Sequence, residues 1–507
     1  MRQAEWPIGV LLFIGCALLF AWVSVRPEFN GLLSDSYVYL AAAEALSPGA
    51  GHNPALLRHL LEAYPFPPLF PALLGLLGGG SSAPAASYAI GALLLAAACV
   101  AFRHWLRRAG APRLAATLAC VAFACLPLTL QVAMGVLSEP LFMLLIFGTA
   151  SLLCAQPVTA RRWLQAATLV ALATLTRSVG VAAAGALLLC WVSARGWRVS
   201  WSAPLVAVVP PAAWALFRHL GGYDDYALAS VAGRGPWQLL RINADAWRQY
   251  AVQAVDLALR PHTVIVLTAF GVVAALVFAL RLLQGRFDAW YCAGYLAILM
   301  LWPHPHHAAR FFFVVAPFAL AYVLLGVCAL TARRRTTPRA VAAVVPVLLL
   351  LLALPSTATM LTGLWQHRAE PMVTAMRGPA WYQSRRSQAA ISMDFARRLA
   401  AFQAAHLPLV PAGACVASIV PQQVLVYGPR SGIDLTQIEA RGQTLAQALS
   451  RCPYVLMVAA RPYPPLKGIG ALYPFEHIRA QMDVLAFERD RPDDPDSPLI
   501  VMLAKVQ

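Results

Sequence analysis

The chain has 507 residues, 60% of them hydrophobic and only 12% charged, with a formal net charge of +17. An ordinary soluble domain is about 25% charged and just under half apolar, so a chain made only of soluble cores is excluded. The charge does not point to nucleic acid either: from Gln366 onward 15 basic residues face 11 acidic ones, so most of the excess lies earlier, in short basic clusters between apolar blocks.

The first block, Trp6–Val25, has only Arg2 before it and no small-x-small cleavage site after it. It therefore reads as a first membrane helix with the N-terminus inside, and not as a leader peptide. Further candidate spans are Ala85–Phe102, Leu114–Val132, Pro140–Ala155, Trp163–Thr176, Val179–Ala194, Ala203–Phe217, Val264–Leu280, Trp290–Trp302, Phe312–Leu330 and Ala340–Leu361. Several fall short of the roughly twenty residues that a full crossing needs. RHWLRRAGAPR, Arg161 with Arg162, RGWR, RLLQGR and RRRTTPR follow the even-numbered spans. Lys and Arg concentrate in cytoplasmic loops, so all five are expected inside.

The odd-numbered exits then face outside and hold the varied chemistry. Residues 26–84 form a long first outer loop with SDSYVYL and YPFPPLFP; the fourth, His219 to His262, carries RGPWQLLRINADAWRQYAVQAVDLAL, whose apolar spacing suits a helix lying in the interface; the fifth holds WPHPHHAAR. Composition changes near Trp365. ACVAS, YVLMVAA, VLAFER and LIVMLA read as short buried strands, and Ser387–His406 as a helix. The expected architecture is an α-helical polytopic membrane protein of about eleven transmembrane helices, residues 1–364, followed by a small C-terminal α/β domain, residues 365–507, outside the cytoplasm. Eight of ten cysteines lie in or beside apolar segments with no metal-ligand spacing; Cys415 and Cys452, in the tail, fit either a disulfide or two unpaired core thiols.

Asp35 follows the first helix, where a carboxylate can face water and a cavity together and act as a general base toward a hydroxyl or amine. The competing reading is that Ser34 or Asp35 caps the helix YVYLAAAEAL. Glu139, in GVLSEPLF, is an acid between two apolar runs, costly unless it faces water or a partner. It pairs chemically with Asp35 on the outer side, or simply opens a helix with Pro140 at its start. Arg177, in TLTRSVG, needs an anion: a phosphate gripped by the planar fork, or a structural salt bridge to Glu139. His304, His306, His307 and Arg310 share that side. Their spacing lacks the i, i+4 pattern and a nearby acid or cysteine, so hydrogen bonding to phosphate or sugar suits them better than metal. Tyr64 and the PFPP turn shape the first loop. There is no GxxxxGK[ST] and no GxGxxG between a strand and a helix, which argues against a nucleotide-driven pump or a nucleotide-sugar donor.

In order along the chain, SDSYVYLAAAEAL, PFPPLFP, SEPLF, LTRSVG and HHAARFFFVVAPF resemble the polytopic GT-C glycosyltransferases, which include protein O-mannosyltransferases and the lipid A aminoarabinose transferase. The likeness covers roughly the first 360 residues. It implies an inverting transfer of sugar from a polyprenyl-phosphate carrier to a glycan, lipid or protein acceptor at the outer face of the cytoplasmic membrane. It also implies Asp35 as catalytic carboxylate, Glu139 as second acid, Arg177 and Arg310 as phosphate-binding cations, and Tyr37 and Tyr39 lining the cavity. Many members carry two adjacent acids in the first loop, whereas Ser36 follows Asp35 here; the sequence supports no cofactor, and a divalent metal would lack that pair. The rival readings are a transporter or lipid flippase, which would leave the outer carboxylate unexplained, and a noncatalytic envelope scaffold in which Asp35 and Arg177 are structural.

Overall fold

A computed structural model describes residues 5–24, 34–48, 57–58, 60–61, 66–154, 157–223, 235–241, 243–244, 261–302, 311–332, 338–366, 399, 401–411, 414–418, 424, 432–434, 447, 449–450, 452–460, 482–489 and 499–506. Up to residue 366 the described elements are helices: α1 (Glu5–Ser24), α2 (Ser34–Leu46), α3 (Leu69–Leu76), α4 (Pro84–Arg108), α5 (Arg113–Ala124), α6 (Pro127–Ala133), α7 (Glu139–Leu153), α8 (Ala160–Thr176), α9 (Val181–Ser193), α10 (Ser202–Leu220), α11 (Pro261–Leu283), α12 (Phe287–Met300), α13 (Ala316–Ala332) and α14 (Pro338–Gln366).

The described residues of each of the eleven apolar blocks are therefore mainly helical. By length and composition four helices could cross a membrane, and up to six if each of two bent pairs counts as one span. Outward faces of α10 and α11 leave Leu205, Leu216, Leu276 and Leu280 exposed, as lipid-facing positions require. Inside, Phe102, Trp105, Phe123, Phe147 and Phe318 form an aromatic centre; Trp105 lies 4.9 Å from Phe318 and Phe147 lies 5.3 Å from both Phe102 and Phe318. Such offset pairs add to what burial alone contributes. Trp22 of α1 stacks on Trp365 of α14 at 6.5 Å, so the first and last of these helices meet.

Local chemistry explains the breaks. α5 and α6 meet at 60°, where Pro127 opens the second piece. The carbonyls freed at the break take hydroxyls: Thr129 donates to Phe123 O at 2.6 Å and Thr357 of α14 to Cys125 O at 2.8 Å. Backbone groups away from water need such partners. α11 and α12 turn by 113° at Gly285, whose φ of +66° suits glycine at a helix end. Arg281 and Asp288 clamp that turn bidentately at 2.7 and 2.6 Å.

α2 lies on α3 with almost no side chain between them. A Cβ on Gly75 would stand 2.6 Å from the Ala43 carbonyl oxygen. Glu44 of α2 then accepts from Ser82 N at 2.9 Å and Ser82 Oγ at 2.7 Å, in the turn between α3 and α4.

In the tail, β1 (Val416–Ser418), β2 (Gly432–Asp434), β3 (Tyr454–Ala460), β4 (Met482–Arg489) and β5 (Leu499–Val506) form one sheet ordered β2-β1-β3-β5-β4. β1 is parallel to β2 and β3, and β5 is antiparallel to β3 and β4. Its core joins Leu399, Phe402 and Leu407 to Val416, Leu456, Val501 and Leu503. The four expected strands are present, β2 was not expected, and the described end of the expected helix, up to His406, is helical. Cys415 and Cys452 form a disulfide with Cα atoms 4.7 Å apart, directly before the adjacent strands β1 and β3.

Candidate active site

Four widely separated segments converge at one end of the bundle. α2 supplies Tyr39, which is 2% exposed and packs against Phe66 at 5.1 Å and Phe70 at 5.0 Å. Its hydroxyl lies 2.9 Å from Ser138 Oγ. Ser138 precedes α7, whose first turn contains Glu139 and Pro140; proline there costs no helical hydrogen bond. Arg177 caps the C-terminal end of α8 in extended backbone, before a short 3-10 turn leads into α9. Its Nη1 donates to Ser138 Oγ at 3.1 Å and pairs with Glu139 Oε1 at 2.8 Å. Beneath it lies the Phe311 ring, 5.9 Å from Cζ, a cation–π arrangement. Tyr295 of α12 holds that segment by donating its hydroxyl to Phe311 O at 3.0 Å.

Of the two anions weighed for Arg177, the structure supplies the Glu139 carboxylate. Glu139 is fully buried, and the Arg177 side chain is 12% exposed. A carboxylate at that depth is tolerated because it is paired. The Arg177 side chain, unlike that of Glu139, keeps some exposure and so sits at the edge of the buried cluster.

Asp35 occupies the first turn of α2 and is partly exposed. Its charge, with those of Glu139 and Arg177, acts on the Tyr39 hydroxyl; burial is the largest cause and pushes that group up to about 12. Tyr39 is thus a neutral hydrogen-bonding group at physiological pH, tied to Ser138. Tyr37 is buried at 3% exposure. Ser36 is fully buried, and a Cβ on Gly135 would lie 3.5 Å from its hydroxyl. Tyr64, His304, His306, His307 and Arg310 lie outside the described residues, although Trp302 and Phe311, which bound the histidine-rich stretch, meet edge to face at 5.9 Å. Among the described residues, no group of three or more His, Cys, Asp or Glu is placed to hold a metal ion.

Ser138 gave no signal of its own in the sequence beyond a helix start, yet it joins Tyr39 to Arg177. The triplet Ser-Glu-Pro at a boundary between apolar runs was its only trace.

No protein-family model matches the chain, and no curated protein sequence matches it. Solved structures do. The archaeal oligosaccharyltransferase AglB from Archaeoglobus fulgidus, in complex with an inhibitory peptide and a dolichol-phosphate, is similar over 90% of this chain and 69% of its own, at 14% identity and a TM-score of 0.46. The Archaeoglobus fulgidus oligosaccharyltransferase tethered with an acceptor peptide is similar over 88% of this chain and 68% of its own, at 13% identity and a TM-score of 0.49. ArnT from Cupriavidus metallidurans bound to undecaprenyl phosphate is similar over 97% of each chain, at 13% identity and a TM-score of 0.46.

Proposed function

We propose that this chain is a membrane glycosyltransferase that moves a sugar from a polyprenyl-phosphate donor to an acceptor at the outer face of the cytoplasmic membrane. The observation that carries the reading is the meeting of Asp35's helix, Ser138–Glu139, Arg177 and Phe311 in one cluster at one end of the bundle. A scaffold gains little from gathering a base, a cation and aromatic walls beside a lipid-facing bundle.

In the reaction, an acceptor hydroxyl or amine loses its proton to Asp35 while its lone pair attacks the anomeric carbon. The bond from that carbon to the phosphate oxygen breaks with inversion, and the polyprenyl phosphate leaves with the electron pair. Asp35 supplies the base, and Arg177, with Arg310 of the fifth outer loop, stabilises the negative charge on the departing phosphate, which is worth most where water is excluded. Glu139 then serves as the counter-ion that aims Arg177. His304, His306 and Tyr64 are assigned to the sugar and phosphate, and Tyr37 to the wall of the cavity.

The same reading assigns eleven crossings to residues 1–364, the short helices included, and places residues 365–507 outside the cytoplasm. The Cys415–Cys452 disulfide supports that placement, since disulfides persist in oxidising compartments. The test is to incubate purified full-length protein with a panel of polyprenyl-phosphate sugars and follow acceptor-dependent release of polyprenyl phosphate. No turnover with any donor would favour the scaffold reading.

A further inference from the structure

Among the described residues of the fourth outer loop, a buried amide reaches back toward the site. Asn243 is 1% exposed and lies in a short helical stretch after Leu239, itself 2% exposed. The two N–H groups of its Nδ2 are shared among three carbonyls, Leu239 O at 3.0 Å, Met300 O at 2.9 Å and Trp302 O at 2.7 Å. Met300 ends α12, and the last carbonyls of a helix have no partner within it. Two of those three acceptors therefore belong to a helix end that the fourth loop caps from outside. The amide orientation is forced, because turning it over would set Oδ1 against three carbonyl oxygens.

The cap leads to Arg177 by a continuous path. Asn243 holds the Trp302 carbonyl; the Trp302 ring meets Phe311 at 5.9 Å; the Phe311 ring underlies the Arg177 guanidinium at 5.9 Å. Glu139 and Ser138 hold Nη1 of that guanidinium. We infer that Asn243 is a positioning residue for the donor phosphate: it sets Trp302, and through Trp302 and Phe311 the tilt of the Arg177 fork. The inference rests on the phosphate role proposed for Arg177. Mispositioning of a bidentate group by a fraction of an ångström is enough to weaken an anion contact, because its strength lies in alignment.

The experiment measures binding of undecaprenyl phosphate to the full-length chain in detergent, beside thermal melting. Asn243→Leu keeps the approximate volume without donors, and Asn243→Asp keeps the shape while replacing donors by a charge. Both are expected to bind at least tenfold more weakly than the parent, with acceptor KM unchanged in turnover assays, and Asn243→Gln to recover part of the affinity. Trp302→Leu, which leaves the carbonyl and the Asn243 cap in place, is expected to lose affinity to a similar extent; it decides the matter if the Asn243 variants do not fold. Variants that melt earlier but bind undecaprenyl phosphate as tightly as the parent would overturn the inference and leave Asn243 a helix cap. A parent chain that does not bind the probe would instead overturn the proposed function, and this inference with it.

Discussion

Arg177 and Glu139 meet at 2.8 Å with the carboxylate fully buried, at the point where the end of α8 reaches the start of α7. The pair makes each residue conditional on the other. Arg177→Met leaves a buried carboxylate without its counter-ion and is expected to cost about 3–5 kcal/mol of stability. Arg177→Met combined with Glu139→Gln should recover most of that loss while remaining unable to transfer sugar. Melting and turnover of the two single variants and the double variant check both statements; a double variant as unstable as Arg177→Met would mean that the pair is not coupled.

Asp35→Asn keeps the first turn of α2 and removes the proposed base. Turnover is expected to fall by about 10²- to 10⁴-fold, the range a positioned general base contributes, with expression and melting unchanged. If Asp35 acts only as a cap, asparagine caps equally well, and both melting and turnover survive.

Ser138→Ala deletes the oxygen that Tyr39 and Arg177 share. The expected cost is about 1–3 kcal/mol, the desolvation penalty of groups left unsatisfied. Tyr39→Phe removes one of those two contacts only and should cost less. Chemical denaturation of the two variants ranks them.

Gly75→Ala tests the close approach of α2 to α3. The added methyl would lie 2.6 Å from the Ala43 carbonyl oxygen, which is backbone and cannot rotate aside. Overpacking of this kind costs about 1–3 kcal/mol, and the helix that must shift is the one bearing Asp35. Turnover is therefore expected to fall more steeply than stability; a variant that loses stability while each folded molecule keeps full activity would show that the proposed base is indifferent to α2.

Cys415→Ser with Cys452→Ser opens a loop of 37 residues in the tail. Loop-closure entropy puts the loss near 4 kcal/mol. Protease digestion of membranes should then cut the tail of the variant first and leave the helical part intact. A reporter fused after Gln507 should be active only outside the cytoplasm.

The apolar blocks were legible because burial in lipid demands long runs of one residue class, which few substitutions can disguise. Four strands were legible for a similar reason, since YVLMVAA and LIVMLA are apolar runs of strand length. β2 is only Gly-Ile-Asp, too short and too polar to carry a pattern, and its place depends on pairing with β1. The disulfide was undecidable because no rule links the spacing of two lone cysteines to their distance. In the site, charged residues between apolar runs announced themselves, and the possible Arg177–Glu139 bridge could be named. Ser138, Asn243 and Glu44 could not. Small polar residues and acids are common at helix ends, and what distinguishes these is a partner supplied by a remote part of the chain.

The stack of Trp22 on Trp365 sets a schedule for assembly. The ribosome releases the first helix long before its partner exists, so one flank of α1 must wait in lipid, or against a chaperone, until α14 has been threaded. The contact between α1 and α14 is then the last that the helical part gains, with only the tail still to be made. A chain truncated ahead of α14 would insert yet stay ajar, and quality-control proteases that patrol the bilayer would meet it in that state.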